Sequence, residues 1–114
     1  MSRISTHVLD VALGRPARDV AVRLERRETS GAWQLLASAL TDQDGRCSQL
    51  LVTDHPLEPA VYRVVFETAS YFAAQRTEGL YPLVEVTFQV RNGKEHFHIP
   101  LLLSANGYTT YRGS

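Results

Sequence analysis

The stretch Val84-Glu85-Val86-Thr87-Phe88-Gln89-Val90, followed at once by Arg91-Asn92-Gly93-Lys94, decides how this chain is read. Apolar and polar side chains alternate with a period of two, which makes the segment a strand with one face in a core. Asn92-Gly93 accepts positive φ at both central positions, the chemistry of a tight hairpin turn. Residues 95–104 are therefore expected to return as a second strand, antiparallel to the first.

The same alternation recurs on both sides. Val20, Val22 and Leu24 fall on one face, opposite Ala21, Arg23 and Glu25. Further strands are expected over residues 4–11, 33–40, 46–52, 62–67 and 108–112. Between them lie turn formers: Gly14-Arg15-Pro16, Thr29-Ser30-Gly31, Asp42-Gln43-Asp44-Gly45, and Pro56 with Pro59. About eight short strands at this spacing specify an antiparallel sandwich or a small barrel. The one helical piece is TASYFAAQ at 68–75, with Thr68 as its expected cap and its alanines favouring helix.

At 114 residues the chain is expected to form one domain, 1–114, large enough for a sizeable core. Twelve basic residues balance twelve acidic ones, so no global field draws in nucleic acid or an anionic membrane. A single cysteine, Cys47, cannot form an internal disulfide and reads as a small buried hydrophobe. No apolar run approaches the ~20 residues of a membrane span. MSRISTHVLD does not read as a signal peptide, and the expected location is the cytoplasm.

Chemistry centres on four histidines: His7, His55, His96 and His98. His96 and His98 are two apart on an expected strand, so both face one side, opposite Phe97 and Ile99. With His7 from another strand, such a pair could bind zinc or perform acid–base work near neutral pH. Two solvated histidines on a polar face fit the spacing equally well. His7, Arg46 and Arg112, taken singly, read as ordinary edge or surface residues.

Taken together, the motifs point further. ISTHVLDVALGRPA at 4–17, the TDQDGR turn ending at Arg46, GLYPLVEVTFQV at 79–90 and HFHIPLLLSANGYTTYRGS at 96–114 resemble the 5-hydroxyisourate hydrolases, the transthyretin-related enzymes of urate breakdown. ETASYFAAQ at 67–75 is similar to that family's single helix, and the closing YRGS is its hallmark. The resemblance spans nearly the whole chain in the expected order. Departures are small: Ala105-Asn106 replaces a common Pro-Tyr, and Ile99 stands where valine is frequent.

The resemblance implies an all-β, transthyretin-like sandwich of two four-stranded antiparallel sheets with one short helix. It implies hydrolysis of 5-hydroxyisourate to 2-oxo-4-hydroxy-4-carboxy-5-ureidoimidazoline, with no cofactor and no metal. It implies a homotetramer whose sites lie at the dimer–dimer interface. By matching motifs, His7, Arg46, His98 and Ser114 are the expected catalytic residues, and His7, Arg46, Tyr111 and Arg112 the expected substrate contacts. The last four residues would then turn into the site; His96 receives no catalytic role. Two rival readings follow: a non-catalytic carrier on the same fold, and a metal-dependent hydrolase using His7, His96 and His98.

Overall fold

Alternating burial sorts the chain into nine strands and one helix; the computed structural model describes every residue, Met1–Ser114. In chain order these are β1 (Ser2–Asp10), β2 (Arg15–Pro16), β3 (Ala21–Arg27), β4 (Trp33–Leu40), β5 (Arg46–Thr53), β6 (Ala60–Phe66), α1 (Thr68–Ala74), β7 (Val84–Val90), β8 (Phe97–Ser104) and β9 (Gly107–Thr110). The expected strands all form, with ends displaced by a few residues at most. Only the two-residue β2 has no counterpart in the sequence reading.

One sheet has the order β4-β3-β6-β7, antiparallel throughout. In the other, β1 is central: β8 and then β9 lie on one side, and β5 and β2 share the opposite edge. The sheets face one another over one apolar cluster, with Ile4, Val8, Leu101 and Leu103 meeting Val22, Leu24, Val64 and Phe66. Burying each such side chain contributes about 1.5–3 kcal/mol. Because β1 turns Ile4 and Val8 inward, Arg3, Ser5 and His7 are on its outer face.

Three expectations are corrected. The segments around Asn92-Gly93 do not form a hairpin, because β7 pairs with β6 in one sheet while β8 pairs with β1 in the other. The loop is a crossover: Asn92 Oδ1 accepts the Lys94 N–H at 3.1 Å, and neither Asn92 nor Gly93 has positive φ. The buried Gly93 carbonyl takes 2.7 Å bonds from Ser2 Oγ and the Leu57 N–H. A Cβ at Gly93 would overlap the Leu57 backbone, so glycine is required here for close packing rather than for a turn.

Second, the β1-centred sheet is mixed. β1 and β8 run parallel, in register from Ile4↔Phe97 to Asp10↔Leu103. These strands come from opposite ends of the chain, so no tight turn forces them to be antiparallel. Third, Thr68 does not cap α1: Glu67 occupies that position without a side-chain cap bond, and Thr68 Oγ1 donates to the Tyr81 carbonyl at 2.6 Å. Asp10, buried at the end of β1, accepts from Tyr71 Oη at 2.7 Å and from the Leu13 N–H at 3.0 Å, fixing the helix against the sheet.

Candidate active site

The turn before β5 is built from its own polar groups. Asp42 Oδ1 accepts the N–H groups of Asp44 and Arg46, both at 2.9 Å. Gly45 follows with φ +75° and its carbonyl accepts the Val8 N–H at 2.7 Å. A Cβ there would overlap the Val8 carbonyl, so this approach also needs glycine. The turn thereby delivers Arg46 opposite His7, while the parallel pairing places His98 opposite Ser5.

After β9 the chain folds back across this face. Gly113 donates its N–H to the His98 carbonyl at 2.8 Å, an isolated antiparallel bridge. A Cβ at Gly113 would lie 2.5 Å from His98 Cδ2, so the backbone crosses directly against the imidazole. The final residues are thus pinned beside the histidine. A cleft of about 590 Å³ results, lined by Arg3, Ser5, Arg46, Ser48, His96 and His98, with Thr6 at its base and Arg112 to Ser114 along the returning chain. No hydrophobic residue contributes to its lining.

His98 is half-buried, with Nδ1 2.8 Å from Ser5 Oγ. Burial, then the positive charges of His7, Arg46 and Arg3, hold its pKa below the ordinary imidazole value. The neutral ring is therefore favoured at neutral pH. His7 Nε2 lies 2.9 Å from the Asp44 carbonyl, an acceptor only, so this nitrogen donates and Nδ1 carries the lone pair in the neutral ring. None of the chain's ion pairs includes Arg46 or Arg3. Both guanidiniums are available to an incoming ligand.

The expected site residues divide. Arg46, His98, Arg112 and Ser114 line the cleft, and His7 lies on the same sheet face beside Arg46. Arg112 is partly committed: Nη2 is 3.3 Å from Glu95 Oε2 and donates to the His96 carbonyl at 3.0 Å, with the guanidinium 4.4 Å from the Phe97 ring centre. Tyr111 faces an adjacent groove with Val86, Phe88 and Phe97 rather than the polar cleft. His7, His96 and His98 do not converge into a three-ligand set, nor does any other group of histidine, cysteine and carboxylate side chains. Cys47 is buried, and burial with Asp42 nearby raises its pKa to about 11, which leaves the thiol inert.

Arg3, Ser5 and Ser48 belong to the cleft although no sequence motif singled them out. The signal was available in the period of two. Arg3 and Ser5 share the face of His7 on β1, and Ser48 shares that of Arg46 on β5.

The model of the HIUase/Transthyretin family matches residues 4–113. A mouse protein named 5-hydroxyisourate hydrolase is 44% identical over 114 residues, spanning 99% of this chain and 96% of its own length. The structure of Klebsiella pneumoniae 5-hydroxyisourate hydrolase superposes with a TM-score of 0.85 at 35% identity, covering 100% of both chains. Sea bream transthyretin in complex with thyroxine superposes with a TM-score of 0.90 at 32% identity, covering 96% of this chain and 93% of the other.

Proposed function

This chain belongs to the HIUase/Transthyretin family, and we propose from that premise that the cleft over β5, β1 and β8 hydrolyses 5-hydroxyisourate in urate breakdown. The observation that carries the reading is the joining of a depressed-pKa His98 to an unpaired Arg46 in a cleft lined by no hydrophobic residue. Its product is 2-oxo-4-hydroxy-4-carboxy-5-ureidoimidazoline.

In the proposed mechanism, neutral His98 takes a proton from water on Nε2 while the water oxygen attacks the ring carbonyl. Negative charge moves onto the carbonyl oxygen, where Arg46 holds it with a fork of donors. The ring C–N bond then breaks, and the leaving nitrogen receives a proton from the His98 imidazolium. His7, beside Arg46, offers a second route for that proton. Ser114 and Arg112 border the substrate from the returning chain. Tyr111 is positioned to contact a ligand only from the neighbouring groove.

A carrier function is the second reading, favoured by the close superposition on transthyretin. Fold alone does not separate the two. The lining residues do: a carrier of apolar aromatic ligands gains from hydrophobic side chains in its walls, and none lines this cleft. We further propose a homotetramer with sites at the dimer–dimer interface. Support comes from the exposed Leu80, Tyr81, Leu83, Tyr108 and Tyr111, and from the open edges at β7 and β9. Light scattering should give four times the 12.8 kDa chain mass; a monomer would reject the assembly.

The direct test uses 5-hydroxyisourate generated fresh from urate by a urate oxidase, with its ultraviolet decay followed with and without this protein. Acceleration beyond spontaneous hydrolysis, unchanged by a chelator, is expected. Folded protein that leaves the decay at its spontaneous rate would sink the hydrolase reading and favour the carrier.

A further inference from the structure

Ser5 is the one hydroxyl that touches the imidazole of His98, and it is itself buried. It sits between Ile4 and Thr6, whose backbone is locked into the β1–β8 ladder, and Thr6 Oγ1 adds a 2.6 Å bond to the Ile99 carbonyl. Its Oγ is therefore a fixed point rather than a mobile surface group. We infer that Ser5 is a positioning residue for the hydrolysis proposed above: it orients the His98 ring through Nδ1 so that Nε2 is the nitrogen presented to the cleft.

The chemistry of a hydroxyl suits this position. It donates to a bare Nδ1 and accepts from a protonated one, so one 2.8 Å contact serves both neutral tautomers and the imidazolium. The ring thus keeps its orientation while a proton arrives at Nε2 and leaves again. A carboxylate at the same place would favour the imidazolium and raise the pKa, typically by one unit or more. Ser5 brings no charge, which leaves the balance at His98 to burial and to His7 and Arg3 on β1 and Arg46 on β5; His96 just before β8 and Arg112 from the returning chain also line the cleft.

The substitutions Ser5→Ala, Ser5→Thr and Ser5→Asp separate this role from a structural one. Ser5→Ala should lower kcat by about tenfold or more with KM within about twofold, since general acid–base groups contribute roughly 10²–10⁴-fold and the base is disoriented, not removed. Ser5→Thr, which keeps the hydroxyl, should restore most of the rate. Ser5→Asp should move the acid limb of the kcat/KM profile to higher pH by at least about one unit. Wild-type kcat in Ser5→Ala, or an unmoved limb in Ser5→Asp, would overturn the inference.

A second measurement needs neither a variant nor turnover. Nitrogen-15 NMR of the wild-type imidazoles reports tautomer and titration for each ring, and His98 Nδ1 should show hydrogen bonding to a hydroxyl at every pH. A freely exchanging Nδ1 would refute the inference even if the substitutions failed to fold. If instead the wild-type protein left 5-hydroxyisourate untouched while this signature was present, the hydrolase reading would fail and the Ser5–His98 pair would stand.

Discussion

Replacing Gly113 by alanine separates the returning chain's part in the site from its part in the fold. The added Cβ would lie 2.5 Å from His98 Cδ2 and 3.3 Å from both His98 Cγ and Pro100 Cγ. Carbon atoms prefer about 3.5–4.0 Å, so roughly 1 Å must be found somewhere. If the chain lifts, the 2.8 Å bond from Gly113 N–H to the His98 carbonyl stretches, and Arg112 and Ser114 move off the cleft. If the ring turns instead, the Ser5 contact is lost. Either way the cost to stability is that of one hydrogen bond, about 0.5–1.5 kcal/mol. The cost to catalysis is larger, because a 1 Å misplacement near reacting groups can lower the rate by about 10²-fold. That fold-change corresponds to about 2.7 kcal/mol in the barrier. Urea midpoints and 5-hydroxyisourate decay rates, measured on the same preparations, supply the comparison. Gly107→Ala is the control, because its Cβ would meet only Ser104 Oγ at 3.9 Å and both readouts should hold. A Gly113→Ala protein retaining more than a third of wild-type kcat would refute the reasoning. A loss of several kcal/mol in stability would show that the crossing supports the fold instead.

Other consequences are as specific. His98→Asn should lower kcat by about 10²–10⁴-fold with an unchanged circular dichroism spectrum, and a loss below tenfold would remove His98 from the mechanism. Because the folded-state pKa of His98 lies below its unfolded value, the unfolded chain binds more protons. His98 thus lowers stability progressively as pH falls from about 6.5 towards the folded-state value, and His98→Asn should flatten that part of a urea-midpoint profile. Arg46→Gln should lower the kcat plateau by about 10²–10³-fold yet shift the acid limb of kcat/KM upward, since one of the charges depressing His98 is gone. Gly93→Ala should destabilise by more than about 3 kcal/mol, as overpacking against backbone leaves no rotamer to adjust; a thermal midpoint within 3 °C of wild type would contradict the crossover packing.

The faces of the strands were readable in the sequence because alternation reports burial directly. Val20, Val22 and Leu24 are buried, and Glu85, Thr87 and Gln89 are exposed, as their spacing indicates. Strand partners were harder to read. Asn92-Gly93 suits a hairpin, but the same asparagine closes an Asx turn, and the same glycine admits the Leu57 backbone. Contacts with Ser2 and Leu57, remote in sequence, decided between them. For the site, the family motifs located Arg46 and His98, while the plain period of two could have added Arg3 and Ser5. The direction of Tyr111 was not readable from periodicity. Thr110 Oγ1 bonds the Pro100 carbonyl at 2.7 Å and β9 ends there, so strand periodicity no longer predicts where the next side chain points.

The cations around His98 raise a question of purpose, and magnitudes answer it. They lower its pKa and so keep the base neutral, but the gain is small. An imidazole with the ordinary pKa of ~6.5 is already about three-quarters neutral at pH 7. Full deprotonation adds a factor of only about 1.3, and a weaker base gives part of that back in proton-transfer driving force. A donor placed on a developing oxyanion is worth about 10²–10³-fold. Arg46 therefore belongs to the transition state, and its share in the depressed His98 pKa, behind that of burial, follows from placing a guanidinium beside the base. The unpaired state of Arg46 follows from the same logic. A carboxylate partner would hold the guanidinium in place, but it would cancel the charge that the oxyanion needs and raise the pKa of the base. The structure instead orients His98 with the neutral Ser5 and builds the Arg46 turn from backbone bonds to Asp42, so geometry is fixed without neutralising the cleft.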